Sequence, residues 1–379
     1  MNFEPYPFEK LNNLLQNIIP NNAYTPSILT IGEPQFETPE FIQEALKEST
    51  QLLQKYPKTS GETELREAMR NFFAKRFNTT LQDSEIIPTF GTREVLFNFP
   101  QFLLFDKEQS VMAYTNPFYQ IYEGAAIATR SRVIHLNLDK ENNFRPRINP
   151  EELSSCDLVI LNFPNNPTSA TLSLEELGEW VKLSLKYDFV LLNDECYSEI
   201  YTDTPPPSLL EAAKAVGNTT FKNTLVINSI SKRSSAPGLR SGFIAGDSEI
   251  LKEYMKYRTY VGCASPLPLQ HAAAKAWSDE AHVAASREVY KKNFEIAQEI
   301  LGTKIPEATF YIWLEVENAL EFTKKLYEKY NVKVLPGEFL ARDDANAKNP
   351  GVGYVRIALV ESEAKTKDAL KRIKECLSE

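Results

Sequence analysis

The sequence predicts an α/β protein, with a mainly parallel sheet between helices and a smaller α+β part after it. Three observations predict this. Short apolar, β-branched runs alternate with helically spaced ones from Ile86 onward. Nearly every run stops at a polar or Gly/Pro-bearing string. After Arg240 the pattern changes to long helical stretches with only brief strands. In parallel sheets ligands gather beyond the carboxyl ends of the strands, so the polar strings at those ends are the first candidates for a site.

Taken in order, Phe8, Leu11, Leu14, Leu15 and Ile18 keep helical spacing, and Pro20 ends this opening helix. The loop Ile31-Gly32-Glu33-Pro34-Gln35-Phe36 follows. Thr38-Pro39 reads as the cap and first turn of a second helix that Tyr56-Pro57 breaks. Ser60-Gly61 introduces a third, carrying Leu65, Met69, Phe72 and Phe73. Ile86-Ile87 leads into Phe90-Gly91-Thr92 and a helix from about Arg93. The run from Val111 to Tyr114 leads into Asn116-Pro117-Phe118-Tyr119. The next, Leu158 to Leu161, leads into Asn165-Asn166-Pro167-Thr168 and a helix over 174–185. Phe189 to Leu192 ends at Asp194-Glu195, and Thr224 to Ile227 ends at Asn228-Ser229-Ile230-Ser231-Lys232. Beyond Arg240 come a helical region over 248–301 broken near Ser265-Pro266, a strand over 310–314, a helix, short strands near Val332 and Val355, and a closing helix. The hydrophilic stretch 342–349 reads as a mobile loop.

At 379 residues the chain is long enough for two cores, read as an arm and part of a small domain over 1–45, a large domain over 46–265 and a small domain over 266–379. A hydrophobic content of 42% with 25% charged residues is that of a folded globular protein. The net charge of −9 argues against a nucleic-acid partner. No apolar run reaches membrane-spanning length, and the start lacks a basic segment followed by an apolar one. Cys156, Cys196, Cys263 and Cys376 lie far apart, as thiols in a reducing cytoplasm would, and three scattered histidines offer no metal site. The expected location is therefore the cytoplasm, with no metal.

Lys232, with Ser229, Ser231 and Arg240 around it, suits a carbonyl cofactor that also carries a phosphate. The amine would bond the carbonyl, while the hydroxyls and guanidinium take the phosphate. Asp194 could hold a ring nitrogen protonated, and Tyr197 or Asn166 could reach a phenolic oxygen of the same ring. Gly91-Thr92 at a strand-to-helix turn could offer backbone N–H groups to phosphate. Tyr119 could stack on the ring, and Arg356 could clamp a carboxylate through both terminal nitrogens. Pro167 is a candidate for a cis peptide. Each string also has a plainer reading, as a solvated strand exit, a turn cap, a core aromatic or a surface ion pair.

The strings in this order resemble the pyridoxal-phosphate aminotransferases of the aspartate aminotransferase fold type, class I and II, over essentially the whole chain, which implies a large-domain sheet of the seven-stranded type. The resemblance implies pyridoxal 5'-phosphate held on Lys232 as a Schiff base, Asp194 on the pyridine nitrogen, and Tyr197 and Asn166 at the ring oxygen. It implies phosphate contacts from Gly91, Thr92, Arg93, Ser229 and Arg240, ring stacking by Tyr119, and Tyr56 reaching the cofactor of a second subunit in a homodimer. Arg356, Gly32 and Asn166 would bind the substrate α-carboxylate. The family often places glycine where Ser169 stands, so the turn there is expected to differ.

Within the family three strings are most similar to bacterial N-succinyldiaminopimelate aminotransferases of lysine and cell-wall precursor synthesis. They are 116–124, 231–234 with 242–247, and 308–313. Glutamate and 2-oxoglutarate would be the donor pair, with N-succinyl-2-amino-6-ketopimelate as acceptor and Arg93 and Arg258 as candidate cations for its far end, a structural salt bridge being the alternative for both and the first reading for Arg258. The alternatives are an aspartate or other α-amino acid aminotransferase, a C–S lyase on the same scaffold, or a ligand-sensing regulator, which the acidic charge disfavours.

Overall fold

The computed structural model describes residues 3–379; Met1 and Asn2, part of the start read above as lacking a leader pattern, lie outside the described residues. The main sheet has seven strands: β1 (Ile86–Thr89), β2 (Val111–Asn116), β3 (Arg132–Asn137), β4 (Leu158–Leu161), β5 (Val190–Asp194), β6 (Thr224–Ser229) and β7 (Gly242–Gly246). Their order is β1-β7-β6-β5-β4-β2-β3, parallel throughout except for β7, which runs antiparallel to both of its neighbours.

Helices cover both faces, so all strands but β3 are buried along their length. Alternate residues serve opposite cores, as the period of two demands. Val159, Leu191 and Val226 pack with Met69, Phe73, Trp180 and Trp277, while Ile160, Leu192 and Ile227 pack with Val95, Phe99, Tyr122 and Tyr254. The edge strand β3 escaped the sequence reading because Arg132, His135 and Asn137 interrupt its apolar run.

The second sheet is small and antiparallel, with β8 (Tyr311–Glu315), β9 (Leu335–Pro336) and β10 (Tyr354–Ala358) in the order β9-β10-β8. Ile312, Val355 and Ile357 form a separate core there with Phe294, Leu326, Leu370 and Ile373. The N-terminal segment belongs to this part of the molecule. Ser27–Ile28 pairs in parallel with Val332–Lys333, and helix Pro7–Leu15 sets Leu11 and Leu15 against Leu335 and Leu340.

Several local expectations are corrected. Helix Glu40–Glu48 has Pro39 at its N-cap and no side-chain cap, because the Thr38 hydroxyl donates to the Ser235 carbonyl at 2.7 Å instead. It ends well before Tyr56, giving way to a 3-10 turn over Thr50–Gln54. The region 248–301 breaks twice, into Ser248–Val261, Leu267–Ser278 and Ala281–Leu301. Helix Leu267–Ser278, expected with the C-terminal part, packs its alanines and Trp277 into the core under the main sheet. The loop over 342–349 is irregular but pinned: Arg342 grips Glu123 through Nε and Nη2 at 2.8 and 2.7 Å, and Asn137 donates to Asp344 at 2.7 Å. No helix among the described residues is long and apolar enough to cross a membrane.

Candidate active site

The carboxyl ends of β4, β5 and β6 open into a cavity of about 800 Å³ that the small sheet and the N-terminal segment close from the other side. β6 delivers the lysine. Ser229, its last residue, accepts the Ser231 N–H at 3.1 Å and so caps the single turn Ile230–Arg233, in which Lys232 sits. The next residue fastens that turn from behind. Arg233 is buried between Phe72 and Trp277, donates to the Ala276 carbonyl at 2.9 Å and pairs with Glu280 at 2.5 Å. The Lys232 amine therefore leaves a fixed backbone, and it donates to the Gly32 carbonyl. Burial pushes this amine down to about 8, and the nearby Arg356 and Arg240 act in the same direction.

β5 delivers Asp194. Its Oδ2 accepts the Tyr122 hydroxyl at 3.0 Å and its Oδ1 the Cys196 N–H at 3.2 Å. Burial pushes the carboxyl up, which is the state of an acid with no cation beside it. Glu195 is turned away, held by Ser208, Leu209 and Asn193, and pushed up to about 8 by burial. Tyr197 faces the cavity with its hydroxyl 3.0 Å from that of Tyr311.

The turn after β4 delivers Asn166, whose peptide to Pro167 is cis, as are Asn116–Pro117 and Phe163–Pro164. Asn166 Oδ1 accepts from Arg356 Nη1 at 2.9 Å, Arg356 Nη2 donates to the Thr30 carbonyl at 2.7 Å, and Arg356 Nε is buried without a partner. The guanidinium lies 4.6 Å over the Tyr311 ring. Gly32 sits where a Cβ would be 1.7 Å from the Tyr311 hydroxyl, so only glycine fits. Ser169 keeps the left-handed conformation that a glycine would favour, at φ 63°, and its hydroxyl is tied to Thr309 and to the Tyr311 carbonyl. The expected difference at this turn is thus an added anchor rather than a changed path.

At the start of helix Thr92–Leu104, Gly91 has φ 78°, and a Cβ there would meet Arg240 Nη2 at 2.4 Å. The arginine lies across the helix start, donating to the carbonyls of Pro237 at 2.7 Å and Phe90 at 3.4 Å. Arg93 donates its Nε to the Tyr119 hydroxyl at 2.8 Å.

Twelve of the residues singled out from the sequence line this one cavity: Gly32, Thr92, Arg93, Tyr119, Asn166, Asp194, Tyr197, Ser229, Ser231, Lys232, Arg240 and Arg356. Gly91 lies behind Arg240. Tyr56 lies outside the cavity and is 101% exposed. Arg258 is a correction. It is buried on Glu94 at 3.0 Å and on the Thr59 carbonyl at 3.3 Å, so it is an internal ion pair rather than a cation at the mouth. Tyr6, Glu33, Asn162 and Tyr311 also line the cavity, and Tyr122 supports it from behind. Sequence reading missed Tyr6 because it lies on another segment and Asn162 because it only ends the apolar run, while Glu33, Tyr122 and Tyr311 were quoted only inside longer strings.

Arg93, Arg240 and Arg356 hydrogen-bond only to carbonyls, an amide oxygen and a phenol, never to a carboxylate, among the described residues. Unneutralised guanidiniums in a chain of net charge −9 mark a site for anions. Pyridoxal 5'-phosphate fits this donor set. The helix start with Arg240 and Ser229 suits its phosphate, Asp194 its ring nitrogen, and the Lys232 amine its aldehyde.

Comparison with known proteins agrees. Residues 27–373 match the family described as aminotransferase class I and II. The chain is 31% identical to the LL-diaminopimelate aminotransferase of Natranaerobius thermophilus, over 100% of this chain and 98% of that one. Among solved structures it superposes on aminotransferase AspB of Helicobacter pylori with a TM-score of 0.96 and 51% identity, each chain covered fully (100%). An aminotransferase of Neisseria meningitidis gives a TM-score of 0.94 and 41% identity, over 99% of this chain and 98% of the other.

Proposed function

Since the chain belongs to the aminotransferase class I and II family, whose cofactor is pyridoxal 5'-phosphate, we propose that it moves the amino group of glutamate to N-succinyl-2-amino-6-ketopimelate, a step toward diaminopimelate and lysine. The observation that carries this reading is the set of three arginines without carboxylate partners in one cavity of about 800 Å³. One suits the cofactor phosphate and one an α-carboxylate, which leaves Arg93 for a further anionic end. The diaminopimelate named for the Natranaerobius relative is a long substrate of the same kind.

Bound in this cavity, the cofactor supplies an electron-withdrawing ring and a carbon that takes up the amino group. The protein does the rest. Lys232 Nζ moves the proton on and off the substrate α-carbon, and its depressed basicity leaves a useful share of neutral amine near neutral pH. Asp194, in a wall that excludes water, holds the proton on the ring nitrogen. Arg356, fixed by Asn166 and Thr30, orients the α-carboxylate, and the Gly32 backbone lies beside it.

Assembly and division of the chain belong to the same proposal. Leu53 and Tyr56, with Tyr260 and Val261 at the end of a neighbouring helix, are exposed apolar groups that suit the surface of a cytoplasmic homodimer. Tyr56 would then reach the partner's cofactor. The packing of helix Leu267–Ser278 favours a boundary after Ser278 rather than at 265.

A panel of acceptors with glutamate as donor tests the specificity. The succinylated keto acid is expected to exceed oxaloacetate in kcat/KM. A tenfold preference for oxaloacetate, about 1.4 kcal/mol, would make this an aspartate aminotransferase.

A further inference from the structure

One residue of the small sheet touches both the carboxylate clamp and a phenol of the opposite wall. Tyr311 is the first residue of β8, and its register partner on β10 is Ala358. Arg356 stands two residues before Ala358, so it lies diagonal to Tyr311 on the same face of the sheet. The guanidinium accordingly lies 4.6 Å over the Tyr311 ring. At the far end of that ring the hydroxyl is 3.0 Å from the hydroxyl of Tyr197, which follows the exit of β5.

Tyr311 is fixed from both sides. Its N–H donates to the Thr309 hydroxyl at 3.1 Å, and its carbonyl accepts the Ser169 hydroxyl at 2.9 Å. The side chain is buried but lines the cavity. Gly32 leaves the hydroxyl its space, because a Cβ there would run into the oxygen. Filling the core would need only a ring. It does not account for a hydroxyl that forces glycine on its neighbour and has, among the described residues, another cavity phenol as its one hydrogen-bond partner.

We infer that Tyr311 is a positioning residue for transamination: its ring holds Arg356 for the α-carboxylate, and its hydroxyl donates to Tyr197, aiming the Tyr197 proton at the ring oxygen of the cofactor. The inference rests on the roles given above to Arg356 and Tyr197 and is independent of which acceptor is preferred. A phenol has one proton to give. With the Tyr197 proton turned to the cofactor, its lone pair is open to the Tyr311 O–H, and a donor that also accepts is the stronger donor. The ring works by a different force, since an aromatic face attracts the guanidinium without using up its N–H groups.

Equilibrium titrations of the cofactor-loaded protein test both halves without turnover. Glutarate, a dicarboxylate with no reactive group, reports on Arg356 through its dissociation constant. The pH midpoint of the visible band reports on the ring oxygen, whose negative charge a hydrogen-bond donor stabilises. Neither quantity changes with the fraction of folded chains. Tyr311→Phe keeps the ring, so glutarate should bind within about twofold of the parent. The midpoint should rise by about half a pH unit, roughly a threefold change in the ionisation constant, because Tyr197 is then the weaker donor. In a Tyr197→Phe background the same substitution should leave the midpoint where it is. Tyr311→Leu removes the ring as well and should weaken glutarate by about fivefold or more.

A midpoint unmoved in Tyr311→Phe, or moved equally with and without the Tyr197 hydroxyl, overturns the inference. So does a Tyr311→Leu variant that binds glutarate as the parent does while Arg356→Gln does not. Glutarate affinity that survives Arg356→Gln strikes deeper: Arg356 is then not the clamp, and the role given to it above falls together with the inference built on it.

Discussion

The two walls of the cavity are built on different terms. The wall made by the main sheet is internally satisfied: Asp194 has Tyr122 and Cys196, Asn166 has Asn162 and Arg356, and Ser229 has Ser231 and Ser241. Among the described residues, the wall at the mouth keeps unpaired groups, the Tyr6 hydroxyl and the terminal nitrogens of Arg93. Groups already satisfied are fixed in position before any ligand arrives, which is what a bond-making site requires. Groups left unpaired discriminate, because only a ligand that completes them avoids the cost. Chemistry and selection should therefore fail separately, and substitutions in the first wall should lower rates for all substrates alike.

The largest effect is expected for Lys232→Ala. Among the described residues no other amine lines the cavity, so both the covalent link and the proton transfer at the α-carbon are lost. Turnover with glutamate should fall by at least about 10⁴-fold, equally for short and long acceptors, and borohydride should no longer fix cofactor to this chain. A variant that retained a tenth of the activity would place the chemistry elsewhere.

Asp194→Asn ranks next. The amide keeps the Tyr122 contact but cannot hold a proton on the ring nitrogen, so a buried charge pair is lost. A fall in kcat of roughly 10²- to 10³-fold follows from breaking such a pair. The thermal transition of the ligand-free protein should not fall, because there the carboxyl is already strained by burial. Near-normal turnover would remove Asp194 from its role.

A smaller effect separates the walls by pH. In the ligand-free protein the Lys232 amine sits at about 8 instead of the usual 10.5. Only the neutral amine attacks an aldehyde, so capture of pyridoxal phosphate should rise about tenfold per pH unit below 8 and level off above it. The stability sign is opposite to that of a paired lysine. The folded state gives up its proton first, so its penalty is full below 8 and fades as pH climbs toward 10.5. A capture profile with its midpoint near 10 would mean that burial does not act on this amine.

The same division explains what the sequence disclosed. Lys232, Asp194 and Asn166 were legible because each ends an apolar run within a few residues, where periodicity and a change of polarity mark a strand exit. Arg240 follows the lysine by one loop. The helices and most central strands were legible for the same reason; the edge strand β3 was not, since polar residues interrupt its apolar run, nor was the short β7, which two glycines bound. Tyr6 and Tyr311 were invisible as site residues because they reach the cavity from the opposite part of the chain, where local pattern says only that an aromatic packs. For Arg258 the sequence offered a salt bridge or a cation at the mouth, and position along a helix does not say that Glu94 lies beneath it. The resemblance supplied roles, and the folded geometry separated fixed groups from free ones.

The smallest effect is expected where the walls meet. Ser169 lies on the Asn166 turn, and its hydroxyl reaches Thr309 and the carbonyl of Tyr311 on β8, so one side chain ties the first wall to the second. Serine at φ 63° carries a backbone cost of about 1 kcal/mol. Ser169→Gly would relieve that cost. It would also remove two hydrogen bonds worth about 1 kcal/mol each, and it would free the unfolded chain by a further 0.5–1 kcal/mol or so. The hydroxyl therefore outweighs the strain, and the variant should be less stable by roughly 1.5–2 kcal/mol, read as an earlier denaturant midpoint with an unchanged slope. Because Asn166 keeps its bonds to Asn162 and Arg356, kcat should change by less than about threefold. A variant more stable than the parent would mean that backbone strain, rather than the hydroxyl, governs this turn.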